Sequence, residues 1–444
     1  MACGCWTGWW RTISRAEPGR LSVRFAAQDG GGAARAAVGL RDGFDARGQT
    51  LGLRLDDGPE AAGGLAWAAL RNSRALQFEA PTSGIAAALA CGAALRAWSP
   101  LAMPPGQLHI VTPDPAEAER LWSLAAPGVA GNLLVRDLVA EPANRLTPAA
   151  FVERLRGLTA HGLRVSVRGP ARLAREGFGL LSAVGRAAAS GPYLVTLHWP
   201  GEGRPVALVG KGLCFDTGGI SIKPAKGMEA MRADMAGAAA CAGAMLALAL
   251  GRAPQAAVAI LAIAENTTGA DSYRPGDVLR SLSGRTVEVI DTDAEGRLVL
   301  ADALHHAITR HRPACVVDAA TLTGSIVTAL GHHHGGLFGN DDALRDGLLA
   351  AGKRVGEPLW PMPIGIRHRK DLDSDIADLR HCLHGRQPDA CHAAAFLREF
   401  VGDTPWAHLD IAGMDLAVED TPLAAKGMPT GYGARLLEAF IRAR

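Results

Sequence analysis

The stretch TVEVIDTDAEGRLVLADAL, residues 286–304, decides how this chain is read. Its β-branched opening, 286–290, predicts a strand, and the apolar periodicity beyond Gly296 predicts a helix over 297–310. Asp291, Asp293 and Glu295 stand between them, so carboxylates collect where a strand stops. In α/β sheets that edge is where ligands bind. In extended backbone Asp293 and Glu295, two apart, project to one side, where they repel unless a cation sits between them. The competing reading is acidic residues complementing a helix dipole.

A second segment, VALVGKGLCFDTGGISIKPAKGMEAMRADM at 206–235, follows the same logic. A strand over 205–209 feeds Gly210, Lys211 and Gly212. Asp216, Lys223 and Asp234 follow, and Asp234 opens a long run of small apolar residues. A carboxylate at a buried helix end needs a partner, as does Lys211 between its glycines; for either one alone a structural salt bridge serves as well as function. Together, Asp216, Asp234, Asp293 and Glu295 carry a formal charge that two divalent cations cancel. Beside such dications Lys211 would be neutral and able to ligate, while Lys223 would stay charged as an electrophile. A two-metal site of this kind serves hydrolysis.

Further out, strands are predicted over 107–112, 164–167, 193–198, 257–264, 314–318 and 407–411. Helices are predicted over 115–125, 148–159, 233–249, 341–355, 393–401 and 434–442. This alternation gives an α/β fold: a mixed β-sheet flanked by helices in a C-terminal catalytic domain, 131–444, after a smaller α/β N-terminal domain, 1–130. Pro127, Gly128 and the turn-rich segment at 141–144 mark the junction.

At 444 residues the chain is long enough for two domains and an enzyme-sized core. Lys and Arg number 46 against 44 Asp and Glu, a net +2 that offers no field for nucleic acid or an anionic membrane. With 48% hydrophobic and 20% charged residues, the composition is that of a globular protein. The eight cysteines sit mostly in apolar segments and are expected as buried thiols in a cytosolic protein. Residues 1–11, rich in Trp, have neither the basic nor the apolar region of a signal peptide. The apolar run 235–251 is expected as a buried helix instead of a membrane span.

Several other motifs carry less. The glycines at 203–212 have the wrong spacing for a phosphate loop. His332, His333 and His334 lie between glycines and are expected in an exposed turn. His305 and His306, and the Cys382, His384, Cys391 and His392 set, lack metal-site spacing, and no GxSxG elbow is present.

These residues resemble the leucyl aminopeptidases, the two-metal M17 peptidases. The resemblance rests on DTDAEGRL at 291–298, where the family signature begins with Asn, and on KGLCFDTGGISIKPAKGMEAMRADMAGAA at 211–239. It continues through VRDLVAEPANRLTP, AENTTGADSYRPGDVL, DAATLTGSIVTALG, SDIADLRH, WAHLDIAG and KGMPTGYGARLL, and runs from about Leu134 to the C-terminus. It implies that Lys211, Asp216, Asp234 and Glu295 hold a tightly bound metal, and Asp216, Asp293 and Glu295 an exchangeable one. The metals implied are Zn²⁺ or Mn²⁺. Lys223 would polarise the scissile carbonyl, and Arg297 would bind a bicarbonate ion that shuttles a proton from a metal-bridging hydroxide. Met231, Thr321, Leu322 and Thr323 resemble the family's side-chain pocket and backbone contacts, which favour an apolar, leucine-like first residue. Asp291 in place of Asn adds a negative charge that bears on metal affinity.

The resemblance also implies a cytoplasmic homohexamer acting on peptides with a free N-terminus. The alternative from another class is a DNA-binding or architectural role, since some proteins of this fold bind DNA; the near-neutral charge speaks against it. A two-metal phosphoesterase is disfavoured by Lys211 as a ligand and by the lack of His.

Overall fold

The fold is described from a computed structural model over residues 22–27, 34–38, 43–44, 50–53, 55–70, 76–101, 106–385 and 387–444. The Trp-rich start, with Cys3 and Cys5, lies outside the described residues. Contacts divide the chain into two units. One comprises residues 1–129 with 417–428, and the other 130–416 with 429–444.

The first unit contains a six-stranded sheet. Its strands are β1 (Ser22–Ala26), β2 (Ala34–Val38), β3 (Gly43–Phe44), β4 (Thr50–Leu53), β5 (Leu76–Glu79) and β6 (Gln107–Val111), in the order β1-β6-β5-β2-β4-β3. All neighbours are parallel except β3 with β4. Leu76, Phe78, Leu108 and Ile110 pack with Ala66, Leu89 and Ala90 from the helices Pro59–Leu70 and Ser83–Arg96.

The second unit is built on an eight-stranded mixed sheet ordered β15-β14-β17-β13-β9-β10-β8-β7. The ranges are β7 (Arg164–Arg168), β8 (Tyr193–Trp199), β9 (Glu202–Asp216), β10 (Gln255–Asn266), β13 (Cys315–Ala320), β14 (Gly335–Gly339), β15 (Leu359–Pro361) and β17 (Trp406–Asp410). The central four, β17, β13, β9 and β10, are parallel. Because side chains alternate across a strand, Ala257, Ala259, Leu261 and Ile263 of β10 face one core, and Val258, Ile260, Ala262 and Ala264 face the other. The helices Ala236–Leu250 and Ala434–Arg442 cover the first face; Glu295–His311 and Asp389–Arg398 cover the second. Two short strands, β11 (Val278–Arg280) and β12 (Thr286–Glu288), join β16 (Leu379–Arg380) in a small third sheet.

Every residue of Ala236–Leu250 is buried. The longer stretch Met228–Leu250 has the length and composition of a membrane span, yet its apolar window is wholly enclosed by the protein. All six described cysteines are buried thiols. His332 and His333 are exposed in a turn.

Three local expectations are corrected. Pro127 does not end a helix; it sits inside Pro115–Ala140. Burial of Ala126, Val129, Leu133, Leu138 and Val139 outweighs the hydrogen bond that proline removes. The strand expected to stop at 209 runs on to Asp216, so Lys211 lies within it. Gly210 is there for close approach: a β-carbon on it would come within 2.5 Å of Ala238 Cα in the covering helix. Gly210→Ala is therefore expected to cost about 1–3 kcal/mol in urea unfolding. Finally, the strand from Thr286 ends at Glu288 instead of 290. Asp291 Oδ1 accepts from Asp293 N at 2.9 Å and Ala294 N donates to Asp291 O at 3.2 Å, closing a turn. Asp293 and Glu295 are thus brought together by a turn and a helix start, not by strand alternation.

Candidate metal centre

The carboxyl ends of the parallel strands gather the chemistry. β9 ends on Asp216, β10 on Asn266 and β17 on Asp410, while β13 ends one residue before Thr321. Asp234 lies between the 3₁₀ turn Met228–Ala233 and the buried helix, and Glu295 is the first residue of its own helix.

Two lysines tie these groups together. Lys211 Nζ lies 2.9 Å from Asp234 Oδ1 and 3.0 Å from Glu295 Oε1, and donates to Thr321 O at 2.8 Å. Lys223 Nζ lies 2.8 Å from Asp216 Oδ2 and also pairs with Asp293 Oδ1. Asp216, Asp293 and Glu295 each bring one oxygen to within 4.8 Å of the others. Gly218 shapes the loop between β9 and Lys223. Its φ of +86° is a left-handed conformation, and a β-carbon there would lie 2.5 Å from Ser221 O and 3.0 Å from Asp293 Oδ1.

The charges do not balance. Four carboxylates face two ammoniums in a nearly dry site: Asp216, Lys211 and Glu295 are at most 2% exposed and Asp234 is 7%. Burial, with Glu295 and Asp234 nearby, pushes Asp216 well above the usual carboxylate range. Burial also raises Asp234, to about 6, against the pull of Lys211. Glu295 feels both lysines, which overcome its burial and hold it at about 2. Burial alone would lower Lys211 and Lys223, but the surrounding carboxylates hold both ammoniums above their usual range. Asp234 Oδ2 and Glu295 Oε2 are buried with no hydrogen-bond partner. Excess buried negative charge, oxygen donors and two orphaned carboxylate oxygens fit hard or borderline divalent cations. Lys211 would then have to release its proton to ligate.

The remaining predicted residues are placed as follows. Thr321 Oγ1 donates to Asp234 Oδ1 at 2.7 Å. Met231 lies half-buried on the 3₁₀ turn and accepts from Asp234 N at 3.2 Å. Leu322 Cδ1 would be 2.8 Å from a β-carbon on Gly296, so its side chain sits over the start of the Glu295 helix. Arg297 is 1% exposed; its Nη1 donates to His381 O at 3.0 Å and its Nη2 to Asp389 Oδ1 at 2.5 Å. These two bonds engage two of the five N–H donors of the guanidinium.

Sequence reasoning missed Asn266 and Thr292. Asn266 Nδ2 donates to Asp216 Oδ1 at 2.7 Å and to Thr292 O at 3.0 Å. Thr292 Oγ1 donates to Gly218 O at 2.6 Å and accepts from Ser221 N at 2.8 Å, which staples the Lys223 loop to the Asp291–Asp293 turn. For Asn266 the available signal was the one used for Asp216, a polar residue ending a buried strand.

Fold and cluster together define an α/β protein with a carboxylate site suited to divalent cations. The profile described as cytosol aminopeptidase family, catalytic domain, matches residues 133–438, and the chain belongs to that family. A probable cytosol aminopeptidase of Caulobacter vibrioides is 41% identical over 93% of this chain and 91% of its own. Another, of Gluconobacter oxydans, is 45% identical over 76% of this chain and 69% of its own. Among solved structures, the bottromycin maturation enzyme BotP in complex with Mn superposes with a TM-score of 0.85 at 35% identity, covering 93% of this chain and 99% of the other. At 93% coverage the likeness reaches into the first unit, beyond the stretch from Leu134 that carries the motifs.

Proposed function

We propose that this protein is a metal-dependent aminopeptidase that releases N-terminal residues, leucine-like ones preferred, from peptides with a free amine. The observation that carries the reading is the cluster of buried Asp216, Asp234 and Glu295 with half-buried Asp293, whose negative charge Lys211 and Lys223 leave half balanced. Lys211, Asp216, Asp234 and Glu295 would hold one divalent ion, and Asp216, Asp293 and Glu295 a second, Zn²⁺ or Mn²⁺. When bound, such ions polarise a carbonyl and acidify a water molecule.

The chain's own groups do the rest. Lys223, kept charged by Asp216 and Asp293, donates to the carbonyl oxygen as negative charge develops on it. Arg297 would hold a bicarbonate ion, which would supply a proton-accepting and proton-donating group beside the scissile bond. Met231, Thr321 and Leu322 border the first side chain of the peptide. A substrate α-amine recognised at the metal site restricts cleavage to chain starts. The same reading takes the protein to be a cytoplasmic homohexamer, in keeping with its family resemblance.

Leucine p-nitroanilide and its N-acetyl derivative test this reading. The free amine is expected to be hydrolysed at least about a hundredfold faster, because blocking it removes a charged contact. Equal rates, or no hydrolysis of either by metal-replete protein, would overturn the proposal.

A further inference from the structure

We propose that Asp410 is a positioning residue for substrate, locking residues 321–323 into the conformation that meets the peptide. This inference rests on the aminopeptidase reading and adds to it a residue outside the metal cluster.

Asp410 ends β17 and is completely buried. Burying a carboxylate is costly, so its partners matter. Its Oδ1 accepts from Leu322 N at 3.0 Å and its Oδ2 from Thr323 Oγ1 at 2.7 Å. Thr323 also caps the following helix, Gly324–Leu330, by accepting from Ile326 N at 3.2 Å. The residue before this pair, Thr321, is fastened to the metal cluster: its carbonyl accepts from Lys211 and its hydroxyl donates to Asp234. Three consecutive residues are therefore pinned from two sides, Thr321 by the site and Leu322 and Thr323 by Asp410.

The strand pairing fixes the anchor. Ala320 of β13 lies opposite Asp410 of β17, and Ile411 N donates to Ala320 O at 2.8 Å. Asp410 thus reaches across to the loop from a rigid neighbouring strand, which is how a site is held to within a fraction of an ångström. Leu322, half-buried over Gly296, is the apolar surface of that loop nearest the cluster. With the Leu322 N–H and the Thr323 hydroxyl released, that surface and the adjoining backbone would have no fixed place, and substrate binding would suffer before chemistry does.

The test uses the full-length, metal-replete protein with leucine p-nitroanilide, comparing Asp410→Asn, Thr323→Val and Thr323→Ser with wild type. Metal content and melting temperature are measured on each. Asp410→Asn and Thr323→Val are expected to raise KM about tenfold, as a lost hydrogen bond to a charged group predicts, with kcat within threefold and both metals retained. Thr323→Ser keeps the hydroxyl and is expected to stay within about twofold of wild type. The inference is overturned if folded Asp410→Asn keeps its KM, or if kcat falls while KM stays put, as a smaller active fraction would give. A wild-type protein that turns over no aminoacyl substrate removes the aminopeptidase reading, and this inference with it.

Discussion

Glu295→Ala is expected to abolish turnover and to empty the metal centre. Glu295 contributes an oxygen to the three-carboxylate cluster, holds Lys211 at 3.0 Å, and has a second oxygen buried without a partner. With Asp216, it is one of the two groups in the proposed scheme that serve both ions. Losing it removes the charge and donor density that make a dication bind, so kcat/KM on leucine p-nitroanilide should fall at least about a thousandfold. Metal analysis of the variant should show less than one equivalent. The metal-free fold should suffer too. With Glu295 gone, Lys211 keeps Asp234 as a close ion-pair partner, so the cost should fall short of the about 3–5 kcal/mol of a buried charge left unpaired. A variant that keeps two metals and wild-type turnover would remove Glu295 from the site.

Lys223→Ala is expected to separate chemistry from metal binding. Lys223 neutralises Asp216 and Asp293 without supplying an oxygen donor. Its removal leaves the carboxylates more in need of a cation, so metal content should not fall. Its proposed task is donation to the carbonyl oxygen as charge develops there, a contribution worth about 10²–10³ in kcat. KM should change far less than kcat. Loss of metal in this variant would show that Lys223 is a structural counter-ion of the cluster and no electrophile.

The two predictions concern residues that were legible in the sequence, because the signal lay in short-range spacing. A strand stopping at clustered carboxylates, glycines around a lysine, and an acid opening an apolar helix fall in two segments, 206–235 and 286–304, neither longer than thirty residues. What was not legible depends on partners far apart in the chain. Asp410 acts on Leu322 across 88 positions, and Asp389 on Arg297 across 92. Neither stands out in its own segment.

The fold shows the same division. Ala434–Arg442 is strongly amphipathic, and its predicted limits coincide with the observed ones. In the first unit, the helices Pro59–Leu70 and Ser83–Arg96 are rich in Gly and Ala, and neither is among the predicted helices. Their glycines are contact points: a β-carbon on Gly63 would meet Leu89 O at 2.2 Å, and one on Gly92 would meet Glu60 O at 1.7 Å. Packing at backbone distance removes the large apolar residues whose periodicity would have announced a helix. Pro127 misled for the related reason that local preference yields to burial.

The central claim is that this buried, acid-rich site is a centre for divalent cations on which peptide hydrolysis depends. The most direct measurement is calorimetric titration of chelator-stripped protein with Mn²⁺, with leucine p-nitroanilide turnover followed in parallel samples. The account predicts two equivalents bound per chain, protons released as Lys211 gives up its charge, and activity rising from baseline with occupancy. Turnover that persists in stripped protein, or Mn²⁺ and Zn²⁺ that both fail to bind, would contradict it.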